Sequence, residues 1–396
     1  MTVSNNNATH HSHKLEPFQV HLADISYYSG KLEMYLRYKN IAYERVEMSL
    51  TSGVSQVYAN TGVRKVPAMQ SANGQWFRES TNMIDWLEQQ YPQPRVIPRD
   101  PAMSFLNKLI EDYADEWCWR SAMYWRWKSD DNASFMGRRL GQEVCSELPL
   151  PTSLTGYLFK RRQRRLFLSG DGVDKNTETL VRNQYYSLCE SFSDILSEQR
   201  FLLGDQPSLV DFAFMGPFFR HYFCDPIPAK IMRDRYPKVL AWVTRMWNEK
   251  AQPYVETNLP LSNFDNIGWS FIWREILNDY LPYLHQNSDS WYDGKKRFDY
   301  KTQGVTFKNL PVVHHRVYCL EVLQDQFNAL NHSEQQQVHS LLQAYGSLNL
   351  GPAVQSGLKP SYQLPLKPRS SIGLFEKVEV FLTGSPWDMN RPPKQH

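Results

Sequence analysis

Side chains able to hold a charged ligand gather in one stretch, residues 63–88. There Lys65, Val66 and Pro67 precede a turn, and Arg78, Glu79 and Ser80 follow it. The Ser80 hydroxyl, the Glu79 carboxylate and the first unpaired N–H groups of a helix starting at Ser80 would converge beside a proline-bearing strand. Backbone donors at a helix N-terminus attract negative charge, so this convergence can hold a small anionic ligand.

The same stretch spells out the strands, turn and helix around them. Pro67 opens a strand, Asn73-Gly74 reads as a two-residue type I′ turn, and a second strand follows. Met83, Ile84 and Leu87 then recur at helical spacing with Trp86 beside them, which gives the helix its buried face.

Upstream, residues 18–22 read as a first strand. A helix is expected over about 30–39 with Leu32, Tyr35 and Leu36 as its stripe, ended by Asn40 in a left-handed conformation. Residues 41–48 look like a second strand, and residues 49–62 like a loop with a short helix. Strand, helix, strand, loop, hairpin and helix in this order make a thioredoxin-like α/β domain with a mixed sheet. In such a domain Pro67 is expected to follow a cis bond.

Composition bounds the rest. At 396 residues the chain is long enough for two or three domains, and its net charge of +3 gives no general case for nucleic acid or membrane binding. No segment approaches the length of a membrane-spanning helix. Five scattered cysteines, Cys118, Cys145, Cys189, Cys224 and Cys319, have no metal-ligand spacing and read as reduced thiols, so a cytoplasmic location is expected. Residues 1–16 read as a disordered tail and not a signal peptide, although they carry His10, His11 and His13. Aromatic residues make up 14% of the chain. They imply extensive ring packing, or an apolar groove along part of residues 102–128, which read as one long helix.

A Pro-rich connector at residues 91–101 marks a domain boundary. Beyond it the pattern is helical, which divides the chain into residues 17–92, an all-α unit over 93–254, and an extension over 255–396 that is mostly α. Residues 130–175 look like an insertion, with Pro149 and Pro151 breaking any helix and a basic run at 160–165 on a solvated face. Ser208 and Asp211 form a capping box before the buried run Phe212, Phe214 and Met215, a folding device at the head of a central helix. His314-His315 shows no ligand partner in sequence, and no metal site is expected.

Together, Lys65-Val66-Pro67, Arg78-Glu79-Ser80 and the Ser208–Asp211 box, in this order, resemble the glutathione transferase superfamily over about residues 18–250. The resemblance implies an enzyme that binds glutathione as co-substrate and activates its thiol for attack on an apolar electrophile or a peroxide, in a detoxifying homodimer. It implies that Val66 pairs its backbone with the cysteinyl unit, that Glu79 and Ser80 take the γ-glutamyl end, and that Lys65 reaches the glycyl carboxylate. The thiol-activating position falls on Ser26, with Tyr27 next and Tyr28 or Ser29 behind it. Tyr27 stands where a proline is usual. Absence of cysteine over residues 24–31 argues against thiol-transferase chemistry, which needs a cysteine nucleophile. A second reading keeps the fold as a non-catalytic interaction scaffold.

Overall fold

The computed structural model describes residues 15–49, 52–251 and 260–369. Residues 1–14 of the expected N-terminal tail, with its three histidines, and a strand expected over 374–383 lie outside the described residues, whereas Leu15 is buried against the core.

Four strands form the first sheet: β1 (Phe18–Leu22), β2 (Tyr43–Glu47), β3 (Ala68–Gln70) and β4 (Trp76–Arg78). They lie in the order β2-β1-β3-β4, with β1 and β2 parallel and the other pairs antiparallel. This is the expected mixed sheet. Helix α1 (Tyr27–Tyr38) joins β1 to β2, and Asn40 behind it sits at φ +54° as read from sequence. It begins three residues earlier than its apolar stripe suggests, because Ser26 caps it by accepting the Ser29 N–H at 3.4 Å.

The β3–β4 turn differs from the type I′ expectation. Gly74 takes the positive φ, +87°, while Asn73 does not, and Gly74 N–H closes onto the Ser71 carbonyl at 2.8 Å. Asn73 instead accepts the Ser71 hydroxyl at 2.5 Å. A side chain that can bond locally lets the glycine alone absorb the left-handed step. Helix α2 (Ser80–Gln90) follows β4 and buries Met83, Ile84 and Leu87.

The long helix expected over 102–128 is two helices, α3 (Pro101–Glu116) and α4 (Trp119–Trp127). At the break the N–H groups of Trp117 and Cys118 both reach the Tyr113 carbonyl. Trp117 packs among Tyr280, Tyr283 and Tyr300 of the extension. No proline or glycine marks this bend, so it is imposed by tertiary packing.

Residues 130–175, expected to be irregular, form a helical hairpin of α5 (Asp130–Val144) and α6 (Thr152–Phe167). Proline at 149 and 151 falls in the turn. A side chain at Gly137 would lie 2.6 Å from the Gly156 carbonyl oxygen, and one at Gly141 2.5 Å from the Thr155 hydroxyl. The seam therefore needs glycine for the helices to touch. The basic run lies on α6, and Lys160 and Arg164 both pair with Asp130.

The helical core continues through α7 (Glu178–Glu198), α8 (Leu209–Pro217), α9 (Pro226–Arg235) and α10 (Pro237–Asn248). The expected capping box is present at the head of α8. Buried Asp211 accepts from the Ser208 N–H and hydroxyl, the Leu202 N–H and the Trp242 indole, each at 2.9 Å.

The extension adds α11 (Trp269–Glu275), α12 (Leu281–Tyr292), the hairpin β5 (Arg297–Thr302) and β6 (Val305–Pro311), α13 (His314–Asn328) and α14 (His332–Leu342). It packs directly on the first two units: Phe327 of α13 meets Phe105 of α3, and Tyr318 bonds Asn82 of α2. Past α14 the chain returns as an irregular strap whose Leu366 N–H donates to the Trp76 carbonyl of β4 at 2.8 Å.

Glu275 of α11 shows the cost of burying charge between these units. It accepts from the Tyr113 hydroxyl and, at 2.9 Å, from Gln184, yet burial pushes its carboxyl up to about 7. The folded chain therefore keeps a proton that the unfolded chain releases between about pH 4.5 and 7, and wild-type stability from this group falls across that window. Glu275→Gln removes the titration. Its stability relative to wild type should rise by about 2 kcal/mol from pH 4.5 to 7 and stay level above. Urea melts of both proteins at pH 5 and pH 8 that shifted in parallel would show that Glu275 does not titrate in this way.

Candidate functional site

The cis peptide expected before Pro67 is present, and it brings Val66 to the head of β3. The ladder with β4 begins only at Ala68, and among the described residues no backbone hydrogen bond engages Val66. Its N–H and C=O are left as an open edge of the kind that an extended peptide can pair with.

Opposite that edge, Glu79 occupies φ +64°, ψ +110°, a conformation unfavourable for any residue with a Cβ. Such a conformation costs on the order of 1–3 kcal/mol and persists only where surrounding structure enforces it. Arg78 supplies part of that enforcement, since its buried guanidinium donates to the carbonyls of Thr61 and Ser361. As the N-cap of α2, Glu79 gives no side-chain cap, and the first bond of the helix is Met83 N–H to the Glu79 carbonyl. The N–H groups of Ser80, Thr81 and Asn82 are thus not used by the helix.

Among the described residues, no hydrogen bond or ion pair engages the Glu79 carboxylate, the Ser80 hydroxyl or the Lys65 ammonium, although Ser80 is only 6% exposed. Burial would raise the Glu79 carboxyl, but nearby positive charge, that of Lys65 foremost, outweighs it and holds it below the usual range. An ionised carboxylate, an unpartnered hydroxyl, free helix N–H groups and an ammonium close enough to act on the carboxylate therefore gather at the head of α2. The set can take a ligand bearing both anionic and cationic groups.

The residues at the head of α1 have different fates. Ser26 is half-buried, and its oxygen accepts the cap bond from Ser29, which leaves its own proton to donate. Tyr27 points into the core, with its hydroxyl donating to the Ala114 carbonyl at 2.5 Å and its ring against Trp119 and His221. A side chain at Gly216 would come within 2.4 Å of that ring, so α8 carries glycine where Tyr27 seats. Tyr28 stacks on Trp119 and donates to the Asp115 carbonyl at 3.0 Å, and buried Ser29 accepts the Ala23 N–H at 3.3 Å. Burial raises both tyrosine hydroxyls well above their ordinary range. Of the four, Ser26 alone combines partial exposure with an uncommitted proton.

A buried ionic knot ties this head to the rest. Lys31 of α1 donates to Asp115 at 2.5 Å, Glu111 at 2.7 Å and Thr81 of α2 at 3.0 Å. Lys108 joins from α3 to Glu111 at 3.0 Å and to Asp85 of α2. Burial raises Asp115 to about 7 against the pull of Lys31, while the two lysines hold Glu111 below its usual range. Three carboxylates share two cations here, so their charges are not all compensated.

Sequence reasoning missed the contributions of the extension. His315 has partners after all: its Nε2 lies 3.6 Å from Glu116 and its Nδ1 3.2 Å from the Tyr362 hydroxyl. Glu116, His315 and Cys319 approach one another within 4.8 Å, but Glu116 is already paired with Arg316 at 2.9 Å. Tyr362 stacks on Tyr318 with centroids 3.8 Å apart. That pair also borders an open cleft of about 580 Å³ between α13 and the strap, lined further by Asp325 and Lys359, which does not include Glu79 or Ser80. Only the adjacent histidines at 314–315 were visible beforehand as a signal.

Comparison with known proteins bears on this arrangement. Residues 21–95 match the family model for the glutathione S-transferase N-terminal domain, and residues 167–250 match that for the glutathione S-transferase C-terminal domain. Among solved structures, the chain is similar to a glutathione S-transferase from Methylobacterium radiotolerans in complex with glutathione sulfonate. The identity is 17%, with 61% of this chain and 99% of that one covered and a TM-score of 0.37. It is also similar to a glutathione S-transferase from Rhodospirillum rubrum F11, at 15% identity, 63% and 99% coverage and a TM-score of 0.38. A beta-etherase from Sphingobium sp. strain SYK-6 gives 18% identity, 60% and 96% coverage and a TM-score of 0.40. No curated protein matches the chain. Family assignment rests on the two domain models, whose order along the chain is that of the sheet domain and the helical domain described above. By those two domains the chain belongs to the glutathione S-transferase superfamily.

Proposed function

We propose that the chain is a glutathione transferase-like enzyme that binds glutathione between the Val66 edge and the head of α2, and activates its thiol beside Ser26. The observation that carries this reading is the unpartnered set of Lys65, Glu79 and Ser80 around a strained Glu79 backbone. Glutathione has the groups to fill it. A γ-glutamyl carboxylate fits the Ser80 hydroxyl and the α2 N–H groups, its ammonium fits Glu79, the cysteinyl backbone fits Val66, and the glycyl carboxylate fits Lys65. Pro67 holds the Val66 edge in place.

At the thiol, Ser26 donates its free proton to sulfur while its oxygen keeps the cap of α1. Donation to sulfur and the positive end of α1 both favour thiolate over thiol. The thiolate then either forms a C–S bond with an electrophilic carbon, as a leaving group departs with the electron pair or a conjugated π bond takes up the pair and a proton from water, or attacks a peroxide oxygen, which oxidises the sulfur to a sulfenic acid as the O–O bond breaks and the peroxide is reduced to alcohol.

Titration calorimetry with glutathione tests the binding half. Wild type should bind, and Ser80→Ala should weaken binding by about tenfold, the loss of one hydrogen bond to a charged group. No heat at millimolar glutathione, or equal affinity in the variant, would reject the site.

A further inference from the structure

The strap after α14 crosses the candidate site at a defined point. Arg78 donates to the Ser361 carbonyl at 2.8 Å and Asn82 donates to the Tyr362 carbonyl at 3.3 Å. These two residues flank Glu79 and Ser80, so Ser361 and Tyr362 straddle the head of α2. The Tyr362 ring is fixed by its stack on Tyr318, which itself accepts from Asn82 at 2.7 Å.

Its hydroxyl is oriented as well. His315 Nε2 faces the Glu116 carboxylate, which favours the tautomer with the proton on Nε2 and leaves Nδ1 as an acceptor. The Tyr362 hydroxyl at 3.2 Å then donates to Nδ1, and its oxygen lone pairs remain free to accept. Burial and then the charge of Glu79 raise this hydroxyl, so a second acceptor stands near the unpartnered Glu79 carboxylate at the same helix head.

We propose that Tyr362, oriented by His315, joins Glu79 in a two-acceptor subsite for the α-ammonium of the ligand, so that the extension selects ligands with a free α-amino group. An ammonium carries three N–H donors, and a carboxylate alone leaves some of them to water. Tyr362 is a binding residue in this subsite; His315 is a positioning residue that acts through it. The inference rests on the glutathione reading above and goes beyond it by giving the extension a part in recognition.

Calorimetry on the full chain with two probes, glutathione and its analogue lacking the α-amino group, separates the two claims. Wild type should bind glutathione more tightly than the analogue. Tyr362→Phe keeps the ring stack and should weaken glutathione about tenfold while leaving the analogue unchanged. His315→Gln should shrink the ratio between the probes in the same direction, with thermal melts of each variant confirming the fold. If wild type binds glutathione but Tyr362→Phe discriminates as well as wild type, the subsite is wrong and the glutathione reading stands. If Tyr362→Phe binds glutathione more tightly, the strap obstructs the site and the proposal is equally overturned. If wild type binds neither probe at millimolar concentration, both claims fall together.

Discussion

Ser26→Ala is expected to lower turnover with an electrophilic substrate by about 100- to 1000-fold while leaving glutathione affinity within about twofold. That range is the effect of removing one preorganised donor from a developing or stabilised anion. The substitution also removes the cap of α1, which costs on the order of 1 kcal/mol and leaves the protein folded. Ser26→Asp separates the two roles. A carboxylate can still accept the Ser29 N–H and keep the helix end, but it cannot donate to sulfur and it repels a thiolate. Spectrophotometric titration of the bound thiol should show its pKa raised in both variants. If Ser26→Asp retained wild-type turnover, thiol activation would have to come from elsewhere. If no electrophile or peroxide were turned over by wild type despite tight glutathione binding, the scaffold reading would replace the enzyme.

The second large effect concerns the ionic knot. Lys31→Met should destabilise the chain by about 3–5 kcal/mol at pH 7.5, because buried Asp115 would lose its only paired cation among the described residues and Glu111 would keep Lys108 alone. The sign of its pH dependence follows from the carboxylates. Without Lys31 their folded pKa values rise, so the folded variant holds protons that the unfolded chain gives up as pH increases. Its deficit should therefore be largest above neutrality and shrink toward pH 5. Urea melts at the two pH values measure it, and a deficit below about 1 kcal/mol at pH 7.5 would mean that water screens the knot.

Much of this architecture was legible because it is encoded locally. Asn40, cis-Pro67, the α2 stripe of Met83, Ile84 and Leu87, and the Ser208–Asp211 box are all set by residues within a few positions of one another, and the structure has each of them. The candidate set was readable for the same reason: Lys65 to Ser80 is a single hairpin and helix start. What could not be read depends on distant partners. The bend after Glu116 has no sequence breaker and exists because Trp117 is caged by Tyr280, Tyr283 and Tyr300. The α5–α6 hairpin looked patternless because its seam is made of glycines, which carry no hydrophobic signal. Tyr27 looked like a second thiol-activating hydroxyl until Ala114 and Gly216 gave it a place in the core.

The strap also has a consequence in time. Arg78 and Ser361 are separated by 283 positions. At the ordinary rate of about 5–20 residues per second, a ribosome needs on the order of tens of seconds to make the second after the first. The sheet domain, whose own contacts are local, can form well before then. For that interval the nascent chain displays the Val66 edge and the head of α2 uncovered, open to any small molecule or extended peptide that fits them.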